Sequence, residues 1–557
     1  MVQIMMCRLC SWLWGGTLAI LLVMAACSKE AGPAPDIEAG STVRISVKDA
    51  ATGAPTPARV ELLDARGTSV LPPKSLEVRG DCSGSPDSKS ARIHPGGNAL
   101  FSPDSGTMQF YVDGTLDVPV SPGAHRITVQ KGPEYEPVVR EFVIAPGETR
   151  ALEVSLVRWV NMPGRGWFSA DGHLHIDRRK PEDDASLFRW MQAEDLHVAN
   201  MLQMGKSSGA LAAEQSAFGK KSVARRGNTL LASGQENPRA WILGHAILFG
   251  ATGYVSNPQA YLGYRQFWEA AERQGGIGGY AHFAGPGLMA DASTGLLTFL
   301  EVLQFGTSRP AALYDLLNLG FRIAPIAGTD FPCFPSGPPG SERFYTRVEG
   351  PLTYETWLDG VRAGRTFVTN GPMVEFTIDG VGIGGDLVLP APSTVEVVAT
   401  IRFDPTRDEI AVVELVRAGE VVFIERERLK PGVIELRLNL PVEETTWFAV
   451  RARGSKTTGF GGMDRLSVAH SGAIFVDVAG TPGLADQPRA RRLAKRVLEK
   501  IDILERQFSE DALRRIRTPL ARSLTGITAE VGLRDREVVV ESLDEARKFY
   551  KDRARVD

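Results

Sequence analysis

A short segment that combines one acid with two imidazoles is the part of this sequence best suited to chemistry. It reads Asp171-Gly172-His173-Leu174-His175. Because side chains alternate along a β-strand, Asp171, His173 and His175 would project from one face. Two imidazoles and a carboxylate on one face supply half of a metal site. The alternative, two ordinary hydrogen-bonded histidines, is less favoured because further imidazoles and acids follow downstream.

Four of those downstream residues each follow an apolar, strand-like run and precede a turn or loop: Glu236, His245, His282 and Asp330. In barrels of alternating strands and helices, the C-terminal ends of the strands converge on one cavity. We therefore predict one metal centre with the ligands His173, His175, Glu236, His245, His282 and Asp330. A set without cysteine suits Zn²⁺, Mn²⁺ or Fe²⁺. We expect one or two ions, with Glu236 as the bridging carboxylate if there are two.

The elements that must position these residues lie in segment 159–370, where strand-like and helix-like runs alternate. The predicted strands are Asp171–Ile176, Val198–Met204, Thr229–Ser233, Ile242–Leu248, Ile277–His282, Phe299–Gln304 and Arg322–Ala327. The predicted helices are Asp184–Leu196, Pro258–Gln274, Ala311–Leu319 and Tyr354–Ala363. This alternation is typical of parallel strands with crossover helices, and it predicts an α/β fold with a distorted seven-stranded barrel.

Segments 41–158 and 371–480 flank the barrel and show alternating hydrophobicity with Gly/Pro turns, which predicts two β-sandwiches. The first resembles the regulatory-type sandwich found beside carboxypeptidases. Segment 481–557 is charge-rich and predicted to be helical. Spacings of four, four, three and four place on one face of a helix Leu493, Val497, Ile501, Leu504 and Phe508. We favour an amphipathic arm packed against the rest of the protein, with a membrane-surface or partner-binding role as the alternative. Ser542-Leu543-Asp544-Glu545 is predicted to be a capping box that starts the final helix.

The start of this 557-residue chain has the pattern of a secretion signal. Met24-Ala25-Ala26-Cys27 resembles the lipobox of bacterial lipoproteins, which implies cleavage after residue 26, lipid attachment at Cys27 and a tether over 28–40. The expected location is the bacterial cell envelope, at the outer membrane. A plain secretory signal is the alternative. Cys82 and Cys333 then remain, and an oxidising compartment permits a disulfide without requiring one. The net charge of −3 gives no reason to expect nucleic acid as a partner.

The order His-x-His, Glu, Gly-His, His and Gly-Thr-Asp resembles the polymerase-and-histidinol-phosphatase (PHP) superfamily, and more narrowly its carbaryl-hydrolase, CehA/McbA-like branch. The stretches that carry the resemblance are 166–175, 191–196, 364–372 and 469–476. It implies the same six metal ligands, with Asp171 as a catalytic support. Two positions depart from the superfamily pattern. Val198-Ala199-Asn200-Met201 replaces an Asp-His pair, and Asp330-Phe331-Pro332 replaces Asp-x-His.

The predicted function is that of a metal-dependent hydrolase. Metal-activated water would cleave a phosphoester or a carbamate, ester or amide bond of a small molecule. His245 or His282 would protonate the leaving group, and Arg343 or Arg347 would meet an anionic substrate group. The alternative is a non-catalytic binding or scaffold lipoprotein at the cell surface, with a degenerate barrel.

Overall fold

The structure is a computed structural model that describes residues 40–80, 82, 93–94, 96–102, 106–257, 260–333, 337–427, 429–456 and 466–555. The predicted secretion signal, Cys27 and the tether up to residue 39 lie outside these ranges. Within the described ranges, no helix combines the length and the apolarity needed to cross a membrane.

Two antiparallel-rich sheets packed face to face form the N-terminal part. Strands β1 to β8 span Ser41–Asp49, Pro57–Asp64, Leu100–Ser102, Thr107–Asp113, Thr115–Val120, Gly123–Gln130, Val138–Ile144 and Thr149–Leu156. They are ordered β5-β1-β8 in one sheet and β3-β4-β2-β6-β7 in the other. Alternate residues such as Val43 and Ile45 of β1 share one core with Val60 and Leu62 of β2. This is the sandwich that the alternation predicts.

The central part mixes strands and helices. Strands β9 to β20 span Trp167–Leu174, Val198–Gly205, Leu211–Ala212, Ala224–Arg226, Thr229–Ala240, Gly244–Phe249, Ile277–Tyr280, Leu297–Gln304, Thr307–Ser308, Ala324–Ala327, Arg343–Arg347 and Thr366–Thr369. Helices α1 to α5 span Asp184–Ala193, Tyr264–Arg273, Leu288–Ala292, Ala311–Asn318 and Tyr354–Arg362. Each predicted strand and helix of this region is present. However, α2 begins at Tyr264 rather than at Pro258, which lies outside the described residues, and α3 was not predicted.

Seven of these strands are hydrogen-bonded to one another in the order β9-β10-β13-β14-β15-β16-β18. Several of them are connected along the chain by α-helices. A parallel bridge between Leu174 and Phe331 brings the ends of β9 and of the segment after β18 together. The β13–β14 and β14–β15 pairs are antiparallel, so the prediction of parallel strands is wrong for these two pairs. Only residues 241–243 connect β13 to β14, whereas a parallel connection needs about a dozen residues or more.

A second sandwich follows. Strands β21 to β30 span Met373–Ile378, Val381–Gly382, Asp386–Leu389, Ser393–Arg402, Glu409–Arg417, Glu420–Glu425, Val433–Val442, Thr446–Lys456, Val468–Ser471 and Ile474–Val478. One sheet is ordered β22-β21-β24-β27, and it packs on the sheet that contains β25 and β28. The core between them also contains Trp167, Tyr345 and Phe367 of the central part. The C-terminal sandwich is therefore continuous with the central strands.

The tail is helical and packs on the central part, as we favoured. Helices α6 to α9 span Pro488–Gln507, Glu510–Arg514, Pro519–Thr525 and Ala529–Ala554. The predicted stripe of α6, including Val497 and Ile501, is buried in the same core as the central strands. The final helix begins after Thr528, whose side chain accepts a hydrogen bond from the Val531 N–H. The capping box predicted at Ser542 is wrong, because Ser542 lies inside α9 and its hydroxyl donates to the Val538 carbonyl at 2.9 Å.

Candidate metal centre

Six acid and imidazole side chains meet beside the ends of the central strands. The structure places there every residue predicted as a ligand: His173, His175, Glu236, His245, His282 and Asp330. All of them are buried except His282, which is partly buried. The residues come from β9, β13, β14 and the loops after β9, β15 and β18. Side chains separated by as many as 157 positions therefore form one cluster.

Within this cluster, two groups of three residues share His173. One contains His173, Glu236 and His282, and the other contains His173, His175 and Asp330. In each group, one nitrogen or carboxylate oxygen per residue lies within 4.8 Å of the others. The Nε2 atom of His175 lies 3.0 Å from Asp330 Oδ1 and 3.3 Å from Glu236 Oε2. Glu236, a member of the first group, is thus also in contact with His175 of the second.

Oxygen atoms behind the imidazoles determine which ring nitrogen faces the cluster. The Nδ1 atom of His173 lies 3.2 Å from Glu301 Oε1, and that of His175 lies 3.2 Å from the Leu202 carbonyl oxygen. Because these oxygens accept hydrogen bonds from Nδ1, Nε2 is the ring nitrogen that faces the cluster in both residues. Both Nε2 atoms and Glu236 Oε2 are buried without a hydrogen-bond partner among the described residues. Inward-facing nitrogen and oxygen atoms of this kind are suited to a metal ion, which would replace the protons on the imidazoles.

The charges of the cluster also favour a cation. Burial lowers the pKa of His173, but the carboxylates of Glu301, Asp330 and Glu236 outweigh burial and bring that pKa well above its usual range. Burial raises the pKa of Glu236, yet Arg239 and the neighbouring imidazoles hold it well below its usual range. The acids therefore stay ionised. Buried anions need compensating charge, and this donor set fits a divalent cation.

Two members of the cluster have unusual backbone conformations. His282 has φ +55° and Asp330 has φ +53°, in the left-handed region that non-glycine residues rarely adopt. The His282 N–H donates to Glu301 Oε2 at 2.9 Å, and the Asp330 carbonyl accepts from the Cys333 N–H at 2.7 Å. Cys333 in turn forms a disulfide with Cys82 of the N-terminal part. Backbone strain of this kind is concentrated at functional sites.

Asp171 does not face the other members of the cluster. Its Oδ1 accepts from the N–H groups of His173 (2.9 Å) and Thr329 (3.1 Å). Its Oδ2 accepts from the Thr329 hydroxyl (2.7 Å) and the Gly340 N–H (2.8 Å). Burial raises the pKa of Asp171 to about 6, although these hydrogen bonds oppose the shift. The catalytic role predicted for Asp171 is corrected to a positioning role, because it ties β9 to the loop that carries Asp330.

The two arginines predicted to bind substrate lie elsewhere. Arg343 is fully buried and donates to the backbone carbonyls of Glu194, Asp195 and Gly340. Arg347 is exposed, and it lies opposite Trp167 in the antiparallel pairing of β19 with β9. Trp167 begins β9 and His173 is near its end, so about 20 Å of strand separates Arg347 from the cluster. Both substrate-binding assignments are therefore corrected.

Sequence reasoning missed four residues beside the cluster: Glu301, Gln304, Arg239 and Trp241. Glu301 interrupts the apolar run Leu300-Glu301-Val302 of a predicted strand, and a buried acid in such a run is a usable signal. Gln304 Oε1 lies 2.7 Å from His282 Nδ1. Arg239 Nε lies 2.7 Å from Glu236 Oε2, as an ion pair without hydrogen-bond angles. The ring of Trp241 lies 4.1 Å from that of His245. No sequence pattern indicated the last two contacts.

Comparisons with known proteins leave the family open. No protein-family model matches this chain, and no curated protein matches it. Among solved structures, the chain is similar in part to a fibronectin(III)-like module of Clostridium thermocellum CbhA. That match has 24% sequence identity and a TM-score of 0.13, and it covers 19% of this chain and 99% of the module. A similarity of this extent assigns no activity to the cluster.

Proposed function

We propose that the protein is a metal-dependent hydrolase whose cluster binds one or two divalent cations, Zn²⁺, Mn²⁺ or Fe²⁺. The observation that carries this proposal is the pair of triads that share His173, with buried Nε2 atoms directed away from the oxygens that contact Nδ1. His173, His175, Glu236, His282 and Asp330 would hold the cations, and His245 would complete the set. The order of the seven central strands and the bridge from Leu174 to Phe331 support a distorted barrel related to the PHP superfamily.

A divalent cation held there would lower the pKa of water and polarise a phosphoryl or carbonyl oxygen. The chain's own residues would orient the metal ligands and bind the substrate. Glu301 orients the ring of His173, and the Arg239 guanidinium lies where it can hold an anionic oxygen beside Glu236. The substrate is a phosphoester or a carbamate, ester or amide.

His245 is better suited to accept a proton or to coordinate than to donate. Burial lowers its pKa to about 4, so its ring is neutral at pH 7. Its Nδ1 lies 2.7 Å from Glu236 Oε1, and its Nε2 lacks a hydrogen-bond partner among the described residues. His245 is therefore not the leaving-group acid in this proposal, and His282, the other residue that the sequence suggested for that role, is assigned to the cations.

A non-catalytic binding protein of the cell surface is the second candidate, because two expected ligand positions lack ligands. Asn200 accepts a hydrogen bond from the Tyr354 hydroxyl at 2.9 Å, and Pro332 has no coordinating side chain. We propose the bacterial cell envelope as the location for either function, with lipid attached at Cys27.

Elemental analysis of the purified full chain and an assay with aryl phosphate and aryl carbamate esters test the proposal. We expect one or two transition-metal ions per chain and metal-dependent hydrolysis. His173→Ala should lose bound metal and at least roughly 100-fold in hydrolysis. His125→Ala, at a buried histidine of the N-terminal sandwich, is the matched control and should retain both.

Wild-type protein without a bound transition metal after metal loading would favour the binding protein. Unchanged metal content and hydrolysis in His173→Ala would show that the cluster is not the active centre.

A further inference from the structure

A cavity of about 470 Å³ opens beside the cluster, and the C-terminal tail forms one of its walls. His245 connects the cavity to the cluster, because it belongs to both. The cavity is lined by Lys206, Arg239, Trp241 and His245 from the central part and by Arg522 from α8, among others. The tail therefore borders the approach to the metal centre, more than 270 positions after His245.

The tail is attached closely to the hairpin that carries Arg239 and Trp241. The Ile242 N–H donates to the Thr525 carbonyl at 3.1 Å. Gly526 has φ +70°, and a Cβ atom there would lie 2.9 Å from the Trp241 nitrogen and 3.1 Å from the Arg239 carbonyl. Only glycine allows this approach and this conformation. The position of α8 at the cavity is thus fixed by backbone contacts and is not a chance encounter of side chains.

The cavity is positively charged. Its lining includes Lys206, Arg239 and Arg522, and it includes no Asp or Glu among the described residues. Arg239 forms an ion pair with Glu236 of the cluster, and Arg522 is an exposed residue of α8. Cationic side chains that line a concave surface attract anions and form charge-assisted hydrogen bonds with them.

The cavity also offers an aromatic surface. Trp241 lines the cavity and is 46% exposed, and it also contacts the imidazoles of His245 and His282. Its ring stacks on that of His282 with centroids 5.5 Å apart, in addition to its contact with His245. A half-exposed indole at the mouth of a polar site can pack against a planar group of a ligand.

We propose that the tail is part of the substrate pocket and that Arg522, together with Lys206 and Arg239, selects ligands that combine an aromatic ring with negative charge. This inference rests on the proposed function, since it makes the cavity the substrate entrance of the metal centre. Arg522 acts here as a specificity residue that binds the part of the substrate outside the cluster.

Calorimetric titration of the full chain, after removal of metal with a chelator, tests this proposal without any activity assay. The probes are phenylphosphonate, a non-hydrolysable aromatic dianion, and its neutral diethyl ester. Wild-type protein should bind phenylphosphonate in preference to the diester. Arg522→Ala should weaken phenylphosphonate binding roughly tenfold, and Arg522→Lys should restore most of it. Arg515→Ala removes an exposed arginine of the same tail that does not line the cavity, and it should bind as wild type does.

Equal binding of phenylphosphonate to the wild type and to Arg522→Ala would overturn the inference, and so would a wild type that binds neither probe or prefers the diester. The result is separable from the proposed function. A chain that binds no transition metal but whose phenylphosphonate binding depends on Arg522 would support the pocket and contradict the proposed hydrolase. Metal-dependent hydrolysis together with equal phenylphosphonate binding by the wild type and Arg522→Ala would support the proposed function and contradict the pocket.

Discussion

Glu301 lies behind the candidate metal centre and contacts two of its members at once. Its Oε1 is 3.2 Å from His173 Nδ1, and its Oε2 accepts from the His282 N–H at 2.9 Å. One buried carboxylate therefore orients the ring of His173 and supports the left-handed backbone at residue 282. Partners of this kind orient metal ligands and raise their basicity.

Glu301→Gln tests this role. The amide keeps the shape of the side chain but removes its charge, so we expect affinity for Zn²⁺ to fall about 10- to 100-fold. Competition with a chromophoric chelator measures that affinity. The matched control is Asp291→Asn, at a buried acid that accepts from Trp268 and Tyr280 away from the cluster. Wild-type affinity in Glu301→Gln would contradict the prediction.

At the scale of elements, β29 connects the C-terminal sandwich to the central part. It pairs with β20 on one side and with β28 on the other. His470 in β29 accepts a hydrogen bond at Nε2 from the Tyr314 hydroxyl of α4 at 2.6 Å, and its Nδ1 donates to the Ser471 carbonyl at 2.7 Å. This arrangement requires a neutral ring, and burial lowers the pKa of His470 to about 4.

The pH dependence of unfolding follows from His470. Its pKa is about 4 in the folded chain and about 6.5 in the unfolded chain, so the unfolded chain binds one more proton between these values. The stabilisation that it contributes at pH 7 is therefore lost as the pH falls from about 6.5 to 4, by up to about 3 kcal/mol. Urea unfolding of metal-free protein at pH 7 and pH 4.5 should show a smaller difference for His470→Gln. An unchanged difference would refute the assignment.

At the scale of the whole molecule, the parts of the chain are not independent units. One continuous core contains Trp357 of the central part, Trp447 of the C-terminal sandwich and Ile501 and Tyr550 of the tail. The N-terminal sandwich contacts the central part through the buried ion pair of Arg59 and Glu194, whose side chains are at most 1% exposed. Loss of one partner from such a pair is costly. Because residues of the tail belong to the continuous core, the tail should contribute to global stability.

Two isoleucines of α6 test that contribution. Ile501 is 3% exposed and Ile503 is 49% exposed. Ile501→Ala should lower the free energy of unfolding by about 2–5 kcal/mol, whereas Ile503→Ala should change it by less than about 0.5 kcal/mol. Thermal unfolding followed by circular dichroism measures both. Equal effects of the two substitutions would mean that the tail does not share the core.

The sequence alone was sufficient for the features that local patterns encode. Strand-like runs located the seven central strands, alternation with turn residues located the two sandwiches, and spacing by three and four located the buried face of α6. His173 and His175 could be chosen from their spacing behind Asp171. Glu236, His245, His282 and Asp330 could be chosen because each follows an apolar run, and residues that end strands of one sheet tend to meet. These inferences need only the periodicity of a strand or a helix and the cost of burying an unpaired polar group.

Other features depended on which distant segments meet, and only the tertiary structure decided them. The sequence had suggested Asp171 for catalysis, but its oxygens are occupied by donors from Thr329 and Gly340. Arg343 holds backbone carbonyls rather than substrate, Cys82 pairs with Cys333, and Arg522 of the tail reaches the cavity beside His245. A side chain's role is set by its neighbours in space, and contacts between residues hundreds of positions apart leave no periodic signal in one sequence.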